Sequence, residues 1–482
     1  MAEVRPFRAY RYDTNRVALQ DVLTQPYDKI TPEMQERYYT ASPYNLIAIE
    51  KGKTAPGDTP GAASASTGSA SSNASAVSAN NVYTRAAANL EEWIAAKILV
   101  QDGAPTIYIY AQDYLVPGMQ TRRTRIGFIA LGRVEDYSAG VVFPHERTLS
   151  APKADRIELL RHTRAQTGQL FMLYDDASRK IEHWLEEIAR TKQPIEMRDE
   201  FDVLHRLWPV SDADAIGRIE SAMAALKLVI ADGHHRYETA LNFRNENRVK
   251  AAAKDGKSEP NSSSALAGDK NAAYEFAMMT FINTHSKGLT ILPTHRLVRN
   301  LEGFDFEQFR KGVASYFDWY SYPFRDAEER AASYAEFRRD FEGSNHGRRG
   351  VGVYSGMANV GPNAFYLFLL RRDVDLEQLL PDLSEAQRGL DVVMLHRVML
   401  EKGLGITAEA VEAEKFISYE REMEKAIASV DRGEAQMACL LKPVRVERVM
   451  EIALGGGLLP QKSTDFYPKL LSGETIYKIE RQ

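Results

Sequence analysis

The sequence predicts an α+β (mixed α/β) protein with mixed sheets, hairpins and flanking helices, arranged in more than one unit. Three observations carry that class. Thr106 to Val116 and Arg122 to Val134 are strand-like runs joined by a turn at Pro117-Gly118, the grammar of an antiparallel hairpin. Residues Ser211 to Leu241 instead read helix, strand, tight turn, helix. Beyond Leu301, charged helical segments interleave with short apolar runs. Hairpins mixed irregularly with helices argue against a regular doubly wound sheet.

Taken in order, Val4 to Tyr12 reads as an opening strand, and Thr31-Pro32-Glu33 starts a helix with Thr as cap and Pro in the first turn. Tyr44 to Glu50 returns to strand character, leaving the Glu50 carboxylate either facing a cleft or solvated at a strand end. Thr54 to Asn81 is a tract of Ala, Ser, Gly, Thr and Pro that cannot bury enough surface to offset ordering, so it reads as a disordered insertion. Asn89 to Ile98 is an amphipathic helix on Leu90, Trp93 and Ile94. After the hairpin, Gln169 to Tyr174 is a strand, Asp176 to Ala189 a helix and Phe201 to Trp208 a strand. Arg248 to Ala272, polar and rich in Ala, Ser and Lys, reads as a second, mobile insertion. Strands follow near Val351 to Tyr354 and Ala364 to Leu370, then a long helix from Glu385 to Glu401 with His396 as a structural border residue. Lys415 to Tyr419 and Gln436 to Leu441 are short strands, Val444 to Leu454 a helix ended by glycines, and Leu459 to Lys469 irregular. These elements divide into units at 1–205, 206–300 and 301–482, the first carrying the insertion at 54–81 and the second that at 248–272.

Composition narrows the function classes. The 44% hydrophobic and 26% charged residues are those of a globular chain, and no apolar run approaches the roughly 20 residues of a membrane helix. The opening M-A-E-V-R-P-F-R lacks an apolar signal region, so a cytoplasmic protein without a membrane partner is expected. A formal charge of −5 argues against nucleic acid as a partner. One cysteine, Cys439, forbids an internal disulfide and reads as an inert core thiol. The oligomeric state stays open.

The candidate chemistry concentrates in L-K-L-V-I-A-D-G-H-H-R-Y-E-T-A-L, Leu226 to Leu241. A strand that turns through Gly233 into a helix presents free N–H groups and a positive dipole end, a ready anion site. Asp232, His234, His235 and Arg236 crowd that turn, and the planar fork of Arg236 matches phosphate. V-V-F-P-H-E-R-T places His145, Glu146 and Arg147 after a second apolar run, with Lys153 and Arg156 opening the next helix. His295 and Arg296 in L-P-T-H-R form a third His/Arg pair, and Lys462, Ser463, Thr464 and Lys469 offer cations and hydroxyls near the end that could complete a phosphate site. Solvated faces and loops remain the alternative for each group taken singly.

The turn I-A-D-G-H-H-R-Y-E-T-A-L resembles the hallmark of the bacterial and archaeal domain-of-unknown-function family 1015. V-R-P-F-R-A-Y-R, Q-P-Y-D-K-I, S-P-Y-N-L-I, H-E-R-T with K-A-D-R, L-P-T-H-R and P-Q-K-S-T-D-F-Y-P-K resemble it too, from Val4 to about Lys469. In the last motif Asp465 stands where an aromatic residue is expected. The family brings no activity. D-G-H-H-R is also similar to the G-x-x-R turn of the ParB/sulfiredoxin fold, which implies a core of that kind and phosphate binding at a helix start. Some members of that superfamily phosphorylate free serine.

Three functions fit these readings. The first is phosphotransfer or phosphate-ester hydrolysis on a small phosphorylated metabolite or nucleotide, with serine or phosphoserine as a substrate. Gly233, Arg236, His145, Arg147, Lys153, Arg156, His295, Arg296, Lys462 and Ser463 would bind the ligand. His234 or His235 would act as acid, base or phospho-acceptor, Glu50 would join the catalytic groups, and Asp232 would orient a His or hold Mg²⁺. The second is a metal-dependent hydrolase using Asp232, His234, His235 and a distant His. The third is a non-catalytic nucleotide-binding regulator.

Overall fold

The structure, a computed structural model, describes residues 2–55, 58, 80–146, 151–254, 269–343, 347–356 and 363–480. Arg147 and most of both expected insertions, 59–79 and 255–268, lie outside the described residues.

Alternating side chains explain the larger sheet. In Leu228–Asp232, Leu228 and Ile230 enter one apolar cluster and Val229 and Ala231 another, so both faces of the strand are covered. The sheet has nine strands. From one edge they run Val142–Phe143, Leu228–Asp232, Leu170–Tyr174, Phe276–Asn283, Arg122–Arg133, Ile107–Leu115, Leu204–Val210 and Ile195–Arg198, with Val4–Arg5 paired to Arg122–Arg133. Pairing is mixed: Leu228–Asp232 is parallel to Val142–Phe143 and antiparallel to Leu170–Tyr174, which is parallel to Phe276–Asn283. The expected hairpin is present, Tyr108 opposite Ile129 through Leu115 opposite Arg122. One face is closed by the helices Lys180–Thr191 and Ala213–Met223, through Ile181, Leu185, Ile216 and Ile219. The helix His234–Lys254 buries Tyr237, Ala240, Phe243 and Arg244, the three-four spacing of a core-facing stripe, and lies against the helix Ala151–Thr163.

A second sheet of six antiparallel strands runs Phe317–Pro323, Ala364–Leu370, Gly350–Tyr354, Met437–Leu440, His295–Val298 and Ile417–Glu420. Cys439 is buried in it, and burial pushes its thiol up to about 12, which leaves it unreactive. After this sheet the chain returns to the first. Asp465–Tyr467 pairs with Thr290–Leu292, Ser472 with Thr24, Ile476 with Tyr10, and Tyr477–Lys478 with Ala165–Gln166. Buried Arg125 donates to the carbonyls of Tyr467 and Pro468, and Gln112 Nε2 donates to that of Lys469. The last fifteen or so residues are thereby carried onto the face where Leu228–Asp232 ends.

Several elements differ from expectation. Val4 to Tyr12 is two short strands, Val4–Arg5 and Tyr10–Tyr12, the second paired to Leu99–Gln101. Tyr44 to Glu50 ends in a helical turn, Ile47–Glu50, because the Asn45 side chain accepts the Ile47 N–H at 2.9 Å. Arg248 does not leave the helix, which continues to Lys254 while Arg248 forks onto buried Glu275 at 2.6 and 2.5 Å. The expected helix from Glu385 to Glu401 is broken at Gly389-Leu390 into Glu385–Arg388, Asp391–Met394 and a π-helical stretch, Leu395–Gly403. Among the described residues no helix is long and apolar enough to cross a membrane.

Candidate functional site

The strand Leu228–Asp232 shifts register between Ile230 and Asp232, and the chain then reverses through Gly233 at φ +91° into the helix beginning at His234. Glycine is required there twice over. The dihedral is one that L side chains rarely adopt, and a Cβ would stand 3.1 Å from Nε and Nη2 of Arg236. Arg236 therefore folds back over its own turn. Its Nη1 donates to the Gln169 carbonyl at 2.6 Å, and its Nη2 lies 3.4 Å from Asp232 Oδ2. Tyr237 N–H bonds the Gly233 carbonyl, closing the first turn. No acidic side chain sits in that turn to neutralise the dipole.

Cations from two distant segments join Arg236 around Asp232. Lys469 Nζ lies 3.5 Å from Asp232 Oδ1 and 3.1 Å from Asp465 Oδ1, while Arg421 Nη2 is 2.7 Å from Asp465 Oδ2. Burial works against a charged Asp232, yet Lys469, Arg236 and Lys29 outweigh it and hold the carboxyl well below the usual carboxylate range. Burial and then Lys469 lower the Lys29 ammonium, while for Lys469 the carboxylates Asp232 and Asp465 overcome burial and raise it. Lys29 forms no ion pair among the described residues and stays half-buried in this field.

Glu50 borders the same place. It is 3% exposed, its Oε2 accepts the Thr167 hydroxyl, and its Oε1 is 3.7 Å from Arg156 Nη1. A Cβ on Gly168 would lie 2.9 Å from Arg236 Nη1 and 3.7 Å from Glu50 Oε1, so the two side chains share that glycine's open side. Arg156 lies over the Tyr27 ring at 4.3 Å and donates to the Glu50 carbonyl at 2.8 Å. Burial pushes the Tyr27 phenol up to about 12.

A second cluster adjoins the first and is closed. His145, fully buried, donates Nδ1–H to the Ile230 carbonyl at 2.5 Å, and its Nε2 is 2.7 Å from Thr464 Oγ1. Glu146 Oε1 accepts the N–H groups of Ser463 and Thr464 at 3.1 and 3.2 Å and the Thr464 hydroxyl at 3.0 Å. Burial opposes its charge, but His145, His234 and Thr464 hold Glu146 down to about 2. His234 links the clusters: its Nε2 accepts the His145 N–H at 3.3 Å, and burial, then His145, lower it to about 3. A neutral imidazole with that nitrogen engaged is a poor proton donor at neutral pH.

The expected site residues therefore separate. Asp232, Gly233, His234, His235, Arg236 and Glu50 come together around the turn, with Arg156 behind Glu50 and His145 beyond His234. His235 is the second helical residue, its carbonyl accepting the Thr239 hydroxyl at 2.7 Å. Lys153 lies in the first turn of Ala151–Thr163, and Arg147 is outside the described residues. His295 is buried in the six-stranded sheet, with Nδ1 accepting the Leu441 N–H at 3.1 Å. Arg296 is 1% exposed and its donors are engaged by His396, Thr294, Gln461 and Lys462, so no ligand reaches it. Lys462 is exposed and forms no ion pair among the described residues, and the Ser463 hydroxyl bonds the Pro460 carbonyl. Lys29, Asp465 and Arg421 were not read as candidates for the site, whereas Lys469 was one of the cations expected near the end. Lys29 lies within Q-P-Y-D-K-I, and Asp465 and Lys469 within P-Q-K-S-T-D-F-Y-P-K, motifs whose positions gave no hint of convergence.

The sequence profile of the family described as "Protein of unknown function (DUF1015)" matches residues 4–393. No curated protein matches the chain. Among solved structures, a conserved hypothetical protein from Pyrococcus furiosus is similar at 12% identity and a TM-score of 0.30, covering 67% of this chain and 86% of its own. A mutant free serine kinase in complex with ADP is similar at 12% identity and a TM-score of 0.34, covering 76% of this chain and 98% of its own. A free serine kinase in complex with AMP gives 12% and 0.31, covering 70% and 88%.

Proposed function

Because the chain belongs to the DUF1015 family, whose description assigns no activity, we propose from the site itself that the protein binds a phosphate-bearing small molecule, a nucleotide, at the Gly233 turn and transfers or hydrolyses its phosphoryl group. One observation carries this reading. Lys469 and Arg236 flank Asp232 at 3.5 and 3.4 Å at the start of a 21-residue helix. Helix N–H groups and an arginine fork are the donors a phosphate accepts, and Asp232, with a side chain 27% exposed, keeps an open edge toward solvent.

The geometry distributes the roles. Arg236 and Lys469 bind the oxyanions and stabilise charge that grows on them during transfer. Glu50, 3.7 Å from Arg156, is the base for an acceptor hydroxyl or water. His234, held neutral, orients the turn instead of moving a proton. Asp232 is the carboxylate that would share a Mg²⁺ ion with the phosphates. The turn's resemblance to the G-x-x-R turn of the ParB/sulfiredoxin fold makes serine the first acceptor to test and phosphoserine the first phosphate ester. Among the described residues no cluster of three or more His, Cys, Asp or Glu side chains is arranged to hold a metal, so nothing favours the metal-dependent hydrolase.

Calorimetric titration of the full chain with AMP, ADP and ATP, followed by labelled phosphate transfer to serine and from phosphoserine, tests the reading. Saturable nucleotide binding with Glu50-dependent turnover is expected. Binding without turnover would leave the non-catalytic regulator, and no nucleotide or phosphate binding would overturn both.

A further inference from the structure

A cavity of about 840 Å³ opens in the C-terminal part of the chain, between the helices Glu385–Arg388 and Ala408–Glu412, the π-helical stretch Leu395–Gly403 and the glycine-ended helix Val446–Leu454. Small-molecule sites span roughly 300–1,000 Å³. It shares no lining residue with the Asp232 cluster, and the phosphate reading makes no use of it.

Its two levels differ in chemistry. Val393, Ile406, Val411, Ile452 and Leu459 form a buried apolar floor. The rim bears carboxylates against one arginine. Arg397 is engaged by Asp382 at 2.8 Å and Glu401 at 3.2 Å, and Glu451 by Arg448 at 2.5 Å. Glu385 and Glu412 are exposed and have no ion-pair partner among the described residues. Gln461 also lines the cavity, but its Oε1 is closed off within the protein, so an occupant meets the rim and not this oxygen. His396 beside it accepts Arg296 Nε–H at Nε2, 3.1 Å away, so its own proton sits on Nδ1. A cavity bordered by π-helix is a frequent setting for ligands. The apolar floor gives a small inorganic ion nothing to hold, and the carboxylate rim repels anions.

We propose that this cavity binds an organic cation, an amine with an apolar body. The apolar part fills the floor, and the ammonium N–H groups meet the unpaired Glu385 and Glu412 carboxylates at the rim. Hydrophobic burial supplies the affinity, and the rim selects the sign of charge.

Calorimetry of the full chain at pH 7 with hexylammonium, hexanol and hexanoate tests this. Hexylammonium should bind saturably at one site, hexanol more weakly and hexanoate weakest of all. Glu385→Gln together with Glu412→Gln should weaken hexylammonium by about three- to tenfold and leave hexanol unchanged. Ala408→Trp, at an exposed wall position, should block both without lowering the melting temperature. Hexanoate binding as tightly as the amine, charge variants that leave amine affinity intact, or no saturable binding by any of the three would overturn the proposal. So would a concentration-dependent dimer whose interface excludes hexylammonium, since the occupant would then be a second copy of the chain.

Discussion

The Asp232 turn and the His145–Glu146 loop look alike in sequence, each an apolar run followed by His, an acid and Arg, yet they are opposite kinds of site. Around Glu146 one oxygen, Oε1, takes the N–H groups of Ser463 and Thr464 and the Thr464 hydroxyl, with His145 Nε2 3.6 Å away. Around Asp232 the ion pairs are long, 3.4 and 3.5 Å, and Lys29 has no ion-pair partner among the described residues. A saturated polar network specifies structure, whereas loosely coordinated cations at a helix start leave capacity for a ligand. The lesson is that the degree of hydrogen-bond saturation, more than the presence of charged residues, separates a structural cluster from a binding one.

The largest effect expected from this contrast is on stability. His145→Ala removes the imidazole from the Ile230 carbonyl and from Thr464, whose hydroxyl keeps only Glu146, and should cost about 2–4 kcal/mol in urea unfolding. ADP affinity of the folded variant should stay within a few-fold. If affinity collapses while stability holds, the two clusters are one binding site and the contrast is lost.

Arg236→Lys is the converse. The charge stays and the fork is lost, so ADP or phosphate binding should weaken by about ten- to a hundredfold, with a smaller change in melting temperature. Intact affinity with a lowered melting temperature would instead make Arg236 a structural clasp between Gln169 and Asp232.

Gly233→Ala comes next, at about 1–2 kcal/mol of stability, because alanine is strained at φ +91° and its Cβ presses on the Arg236 guanidinium. Ligand affinity should fall with it, since Arg236 must move. A variant as stable and as tight-binding as the parent would show that the turn tolerates another path.

A further effect falls on the acid limb of stability. The Glu146 carboxyl is lowered from 4.5 to about 2, so the unfolded chain takes up its proton first. Its contribution is complete above about pH 5 and is lost as the pH falls from there toward 2. Glu146→Gln should flatten that stretch of the stability profile and lower stability at pH 7. An unchanged profile would mean that Glu146 is less well held than its hydrogen bonds indicate.

The strands around the turn were legible because apolar runs bounded by glycine and proline signals report burial directly, as Leu228 to Ala231 and the hairpin at Pro117-Gly118 do. Tyr44 to Glu50 was misread because a β-rich composition hid the Asn45 side chain that starts a helical turn. Glu385 to Glu401 carried one continuous helical period and gave no sign of the break at Gly389-Leu390. In the site, Arg236 and Asp232 were visible as neighbours on one turn, whereas Lys29 and Lys469 were ordinary lysines in distant loops. His295 and Arg296 were overvalued, since a His/Arg pair looks the same whether its donors face a cleft or the core.

By itself the sequence determined the α+β class, the hairpin, the Asp232–Arg236 turn with its required glycine, and family membership, because each follows from local pattern: periodicity, turn chemistry and short motifs. The tertiary structure alone decided which cations reach Asp232. The return of Asp465–Tyr467 to Thr290–Leu292 and the clamp of Arg125 on Tyr467 and Pro468 bring Lys469 beside a carboxylate that stands far from it in the chain. Coulomb interaction and hydrogen bonding depend on distance and burial, and those are properties of packing that no local spacing along the chain encodes.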